Sequence, residues 1–181
     1  MLKLRRLAGV GLLIGAALAV SAGPVLAQTT SVKGTLSGTE YSVEPGCTAA
    51  GSCTAYLAGY FSANTRGYSG FWNVGVTYSL PSSSSPGWST TTPFTLSTSR
   101  GTFIASVSDG TITAGQPQSF FGFCAQPYEL SGSGTPTTAS ATWSNVDFQG
   151  ELTDYGIEST GGTCTDVFFA TVGGSLTFMA G

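Results

Sequence analysis

The chain has 181 residues, of which 41% are hydrophobic and only 8% charged, and its formal net charge is −3. All 9 acidic residues lie beyond residue 27, and that part of the chain carries a net charge of −6 because half of the 6 basic residues precede it. Nucleic acid and anionic membrane surfaces are therefore poor candidate partners. The absence of histidine excludes Ser-His-Asp and Cys-His nucleophile systems and imidazole-based zinc sites.

Residues 1–27 have the layout of a secretory signal peptide. Basic residues come first, an apolar run covers residues 7–20, and small residues at Val25 and Ala27 close the segment. A membrane anchor is the weaker alternative, because the run is shorter than a bilayer span. We expect cleavage after Ala27 and one mature domain over 28–181, without a transmembrane segment, in a bacterial periplasm, on the cell surface or secreted.

The four cysteines predict two disulfide bonds, since an exported chain meets an oxidising compartment. Cys47 and Cys53 lie in a glycine-flanked loop that is short enough to close on itself, whereas Cys124 and Cys164 each lie in or beside an apolar run. We therefore predict the pairs Cys47–Cys53 and Cys124–Cys164. A site with four thiolates is the alternative, but neither half shows the CxxC spacing usual for zinc.

Strands dominate the mature chain, because its apolar residues are dispersed among Gly, Ser and Thr and do not recur at helical spacing. The candidate strands are rich in aromatic and β-branched residues and cover 31–37, 53–62, 70–80, 93–97, 102–108, 119–125, 139–149, 167–172 and 175–179. We expect one all-β domain of about eight or nine short strands, a single antiparallel β-sandwich with a small β-barrel as the alternative. The low-complexity stretches 81–93 and 131–140 are expected to be long solvated loops.

Aromatic residues outside the predicted core are candidate contacts for a ligand. Alternation places Leu57, Phe61, Trp72, Val74, Val76 and Trp143 in the core. Sugar rings stack on Tyr and Trp faces, which leave polar edges free for hydroxyl groups. The candidate ligand-binding residues are accordingly Trp88, Tyr56, Tyr60 and Tyr68. Trp88 lies in a Ser/Thr-rich stretch, and the alternative is that its ring packs back onto the domain.

The segment DFQGELTDYGIE carries the densest group of carboxylates, namely Asp147, Glu151, Asp154 and Glu158. Most simply these are solvated edge and turn residues. The alternatives are a calcium site that also uses backbone carbonyls and a catalytic carboxylate pair. Asp109, followed by glycine, predicts a hairpin turn.

Together these patterns predict an exported, non-catalytic protein that acts by binding or by structural assembly. A carbohydrate-binding module with exposed aromatic residues and a glycoside hydrolase with a carboxylate pair are the alternatives. The expected partners are a glycan or a protein of the cell envelope. No cofactor is expected apart from the calcium considered above, and no catalytic residue is assigned.

Overall fold

A computed structural model describes residues 29–43, 52–79, 86–137, 142–158 and 164–181. These ranges contain no helix, which confirms the all-β prediction. They form ten strands: β1 (Thr30–Val43), β2 (Ser52–Ala63), β3 (Gly70–Ser79), β4 (Gly87–Thr98), β5 (Gly101–Ser106), β6 (Thr111–Ala114), β7 (Gln118–Phe120), β8 (Phe123–Thr137), β9 (Trp143–Glu158) and β10 (Cys164–Ala180).

Eight of the strands close into an antiparallel barrel in the order β5-β4-β3-β2-β1-β10-β9-β8. The barrel closes where β8 pairs with β5, from Ile104 with Thr137 to Ser106 with Thr135. β6 and β7 pair with other parts of β8. Of the two architectures that the sequence allows, the small barrel is therefore the one formed. Closure gives partners to edges that a sandwich would leave unpaired.

The barrel interior is filled by every second residue of each strand. In β3 the side chains of Trp72, Val74 and Val76 are buried while Phe71 and Asn73 are exposed, as the alternation predicts. The outward residues are mostly Ser and Thr on β1 and β4. This pattern places the hydrophobic core inside the barrel.

An aromatic cluster fills the end of the barrel where β2 turns into β3. Phe178 is fully buried at its centre, with ring centroids 5.0 Å from Trp143, 5.4 Å from Phe103 and 6.1 Å from Tyr68. The indole Nε1 of Trp143 donates to the Ile104 carbonyl oxygen at 2.8 Å. The core prediction for Trp143 is confirmed, and we call this the aromatic end.

Both low-complexity stretches contain strand, contrary to the loop prediction. Residues 87–93 form the first half of β4, and residues 131–137 form the last half of β8. Ser and Thr are compatible with strands because one face of each strand meets water. The inward positions of β8 include Gly132 and Gly134, where a Cβ would crowd Trp88 and Val146 respectively. These glycines allow the interior residues to approach the backbone.

Three other boundaries differ from the predictions. The segments 167–172 and 175–179 belong to one strand, β10. The segment 119–125 is divided by a turn at Phe121 and Gly122. Asp109 lies in a bend between β5 and β6, but these strands do not form the predicted hairpin, since β6 pairs with β8.

The disulfide between Cys124 and Cys164 is present, with the two Cα atoms 5.6 Å apart, and this pairing is confirmed. It joins β8 to β10 beside the intervening β9. Cys53 is also disulfide-bonded. Cys47 and the predicted signal peptide, residues 1–27, lie outside the described residues, so the Cys47–Cys53 pair and the cleavage site stay predictions.

Candidate functional site

The barrel encloses an apolar cavity of about 70 Å³. Its walls come from strands on all sides, and the side chains that matter below are Leu57, Trp72, Tyr78, Leu152, Val172 and Leu176. An engineered protein cavity of about 150 Å³ is enough to bind benzene. This cavity therefore suits an apolar group smaller than a benzene ring.

Trp72, a residue of the cavity wall, carries a hydrogen-bond donor that has no partner among the described residues. Trp72 is only 4% exposed, its ring stacks on Phe94 at 5.9 Å, and its Nε1 is buried without an acceptor. Glycine at position 38 makes room for the indole, since a Cβ there would overlap the ring. Buried N–H groups nearly always have an acceptor, so this donor is an unsatisfied polar group beside the cavity.

A cluster of two carboxyls and two phenols occupies the other end of the interior, which we call the carboxyl end. In β1, Thr39 pairs with Thr171 of β10, so the next residue of β1, Glu40, lies beside Ala170. Asp154 of β9 pairs with Ala170 from the other side. The two carboxyl side chains therefore flank the small side chain of this alanine. Asp154 is 6% exposed and Glu40 is half-buried. Within the part of the chain that the structure describes, atoms Oδ1 of Asp154 and Oε1 of Glu40 are buried and have no hydrogen-bond donor.

Burial governs the ionisation of this cluster. It raises the pKa of the Asp154 carboxyl to about 7, and burial together with the charge of Asp154 raises the pKa of Glu40 to about 7. Burial and then Asp154 raise the pKa of Tyr128 to about 12, and the pKa of Tyr78 is raised by burial and then by both carboxylates. The pair can therefore hold or release a proton near neutral pH, or accept a cation.

The basic residues of the described ranges lie at the aromatic end. Arg66 and Arg100 occupy two turns that are joined by a 3.1 Å hydrogen bond from Ser99 Oγ to the Gly67 carbonyl oxygen. Asn64, beside Arg66, donates its backbone N–H to the Lys33 carbonyl oxygen at 2.8 Å. Lys33 is seven residues from Glu40 along β1, or roughly 20 Å. No basic side chain of these ranges therefore neutralises the carboxyl pair.

The aromatic residues predicted to bind a ligand do not share one surface. Tyr68 packs at the aromatic end with its ring 6.0 Å from Phe103. Tyr60 is 44% exposed on the outer face of β2, and Tyr56 is partly buried on the same face. Trp88 packs against the core, but it also borders an open polar depression of about 340 Å³ that includes Asp109.

The four acidic residues considered for calcium do not converge. Asp147 and Glu151 point outward and accept hydrogen bonds from Ser133 and Thr153, at 2.8 Å and 2.7 Å. Asp154 points inward from the same strand, and Glu158 lies at the strand's end. Over the described ranges, no group of three or more His, Cys, Asp or Glu residues is arranged to hold a metal ion.

Sequence reasoning missed most of the carboxyl end. Glu40 lies beyond the predicted end of β1, and Tyr128 follows Pro127 in a segment that was assigned to no strand. Asp154 was considered only as one of four carboxylates that are solvated, bind calcium or supply a catalytic pair. Its separation of two residues from Leu152 was the available signal, because residues two apart on a strand share a face.

A second feature at the carboxyl end is an exposed aromatic hairpin formed by β7 and β8. Phe120 and Phe123 pair across it and are 46% and 50% exposed. Phe121 at the tip is fully exposed and has a positive φ of 52°, followed by Gly122 at 84°. Two successive positive φ values are typical of a type I′ turn.

Comparison of the chain with protein-family models, curated proteins and solved structures gives no match. Within the described part of the chain, no helix has the length and apolar character needed to cross a membrane.

Proposed function

We propose that this chain is an exported, non-catalytic binding protein whose barrel interior holds a small, largely apolar molecule. The observation that carries the proposal is the apolar cavity, beside which Trp72 keeps a buried indole N–H that has no partner among the described residues. Eight-stranded barrels have an interior that is either filled by side chains or just wide enough for one small ligand.

An empty cavity and an unpaired donor each lower stability. A void of about 70 Å³ costs about 2 kcal/mol at the rate seen for engineered cavities. Leaving a buried donor without an acceptor costs about 1–3 kcal/mol more. A molecule that fills the void relieves the first cost, and an acceptor on it that reached Nε1 of Trp72 would relieve the second. The coincidence of the two defects therefore supports a binding site over an imperfectly packed core.

Export is supported by the layout of residues 1–27 and by the Cys124–Cys164 disulfide, which is typical of oxidising compartments. An exported carrier or scavenger of a small molecule would act in the periplasm, at the cell surface or outside the cell.

Glycan binding and glycoside hydrolysis receive less support. The carboxyl pair resembles the acid and base that hydrolysis needs, but the adjoining cavity is apolar and smaller than the one benzene requires, so it does not suit a pyranose ring. The polar depression beside Trp88 and Asp109 is the surface at which a sugar would stack. This depression is open and offers a single indole, that of Trp88, so it would provide at most a weak stacking surface for a sugar.

The test uses xenon and 2-butanone as probes of the folded mature protein, followed by NMR. Xenon should shift methyl resonances of Leu57, Leu152 and Val172, because it occupies apolar voids. 2-Butanone should also shift the indole N–H of Trp72. The indole N–H of Trp143 is the internal control, since it already donates to Ile104. Unchanged methyl resonances together with an unchanged Trp72 indole would contradict the proposal.

A further inference from the structure

We propose that the natural occupant is a small organic amine, with its ammonium group between Glu40 and Asp154 and its apolar body in the adjoining cavity. This inference rests on the proposed binding function and adds the chemical class of the ligand.

The carboxyl pair borders the cavity. Glu40 pairs with Leu57 across β1 and β2, and Leu57 lines the cavity. Asp154 is two residues from Leu152 on the inner face of β9, and Leu152 also lines the cavity. Tyr78 lines the cavity, and its pKa is raised in part by the charges of Asp154 and Glu40, so it lies near both the cavity and the carboxyl pair. An ammonium at the carboxyls thus places a short alkyl chain in the void.

The two carboxyls make the site negatively charged when they are ionised, which favours a cationic ligand. Among the described residues, no donor reaches the buried atoms Oδ1 of Asp154 and Oε1 of Glu40, and the basic residues lie at the aromatic end. A buried carboxylate without a partner is costly, so the pair must hold protons or a positive group. An ammonium brings three N–H donors and one positive charge, which match two carboxyl oxygens in need of donors.

An organic cation fits better than a metal ion. Calcium takes six to eight oxygen ligands, and the two carboxyls with the phenols of Tyr78 and Tyr128 reach six only when both carboxylates bind bidentately and both neutral phenols coordinate. The aromatic rings of the two tyrosines suit an ammonium, which is attracted to the face of a π system. The apolar walls of the cavity do not complement a hydrated metal ion, whereas they do complement an alkyl chain.

Binding of an ammonium should depend on pH in a defined direction. Among the described residues, the titratable groups that face the site are Glu40 from β1, Asp154 from β9, Tyr78 from β3 and Tyr128 from β8. An ammonium favours the ionised carboxyls and displaces their protons. Affinity should therefore increase as pH rises from 5 to 8, across the carboxyl pKa of about 7.

The experiment compares n-butylamine with n-butanol, which has a similar apolar body but no charge. Isothermal calorimetry at pH 8 should show n-butylamine binding the wild-type protein at least tenfold more tightly than n-butanol. Asp154→Asn and Glu40→Gln should each weaken n-butylamine binding about tenfold and leave n-butanol binding unchanged. Asp147→Asn is the matched control, because this carboxylate lies on the outer face of the same strand. The ¹⁵N spectrum of each variant verifies its fold.

The outcomes separate the two proposals. Equal affinity for n-butanol and n-butylamine would overturn the amine inference and leave the binding function standing. Failure of both probes to bind, with no response to xenon, would overturn both. Saturable calcium binding that Asp154→Asn abolishes, without amine binding, would assign the site to a metal and also overturn the inference. If Glu40→Gln retains full affinity for the amine while Asp154→Asn does not, the placement of the ammonium between both carboxyls is wrong.

Discussion

Asp154 and Glu40 are carboxyls that the fold keeps partly protonated near neutral pH. Burial removes their oxygens from solvent, and the basic side chains of the described ranges lie at the opposite end of the barrel, so the charged form is disfavoured. A leucine at either position would satisfy packing without this cost. Two acids beside an apolar cavity therefore lower the stability of the ligand-free protein, a cost that the proposed amine would offset.

The raised pKa values make stability depend on pH. The folded protein binds these protons more tightly than the unfolded chain, in which the two acids have their ordinary pKa values of 4.5 and 3.8. The resulting stabilisation is fully present below pH 4 and is lost as pH rises through about 7. We expect the urea unfolding midpoint of the ligand-free protein to fall between pH 4.5 and 8.

Asp154→Asn removes one titrating group and should flatten this dependence, while Asp147→Asn should preserve it. Urea unfolding followed by tryptophan fluorescence, at fixed ionic strength, measures the midpoints. Parallel pH profiles for the wild type and Asp154→Asn would show that Asp154 does not hold a proton in the folded state.

Among the structural elements, the β7–β8 hairpin combines exposure with backbone strain. Phe121 occupies the left-handed region, which costs a non-glycine residue about 1–2 kcal/mol, and its fully exposed ring gains no packing in return. Asn is well tolerated at this position of a type I′ turn. We expect Phe121→Asn to raise the free energy of unfolding by about 1 kcal/mol, as measured by guanidinium titration.

Phe121→Ala is the matched control for that change, because it removes the ring but keeps a Cβ in the strained conformation. It should leave stability near the wild-type value. A gain of the same size in Phe121→Ala would assign the effect to the exposed ring instead of the backbone.

The elements that could be predicted are those whose two faces differ in polarity. In β2 and β3 the alternation assigns Leu57 and Trp72 to the core and Tyr60 to the surface, and the structure agrees. β8 could not be predicted beyond Ala125, because its inner face includes Gly132 and Gly134 and its outer face is Ser and Thr. Such a strand forms because it pairs with strands that are distant in sequence, and a local sequence pattern does not reveal those partners.

The candidate site was less predictable than the fold. Trp72 was assigned correctly to the core, but nothing local indicates that its indole N–H lacks an acceptor. Glu40 and Asp154 are separated along the chain and meet only because β10 lies between β1 and β9. Their shared environment depends on barrel closure, so a sequence pattern can suggest that each is inward but not that they form a pair.

Across the whole molecule, the two ends of the barrel differ in chemistry. The aromatic end is closed by Phe178, Phe103 and Trp143 and carries the basic side chains of the described ranges. The carboxyl end carries Glu40, Asp154 and the exposed hairpin. If the proposed amine binds, its positive charge is attracted to the carboxyl end, so we expect it to approach from that end.

The Cys124–Cys164 disulfide secures the carboxyl end, because Cys124 pairs with Gly156 and Cys164 with Glu158 on opposite sides of β9. The two cysteines are 40 residues apart in sequence. Loop entropy predicts that replacing both with Ala lowers the free energy of unfolding by about 4 kcal/mol, against about 2 kcal/mol for Cys47 and Cys53. Guanidinium unfolding of the two double variants measures the difference. An equal or larger loss in the Cys47 and Cys53 variant would show that the shorter closure, and not the bridge across β9, is the main covalent support of the barrel.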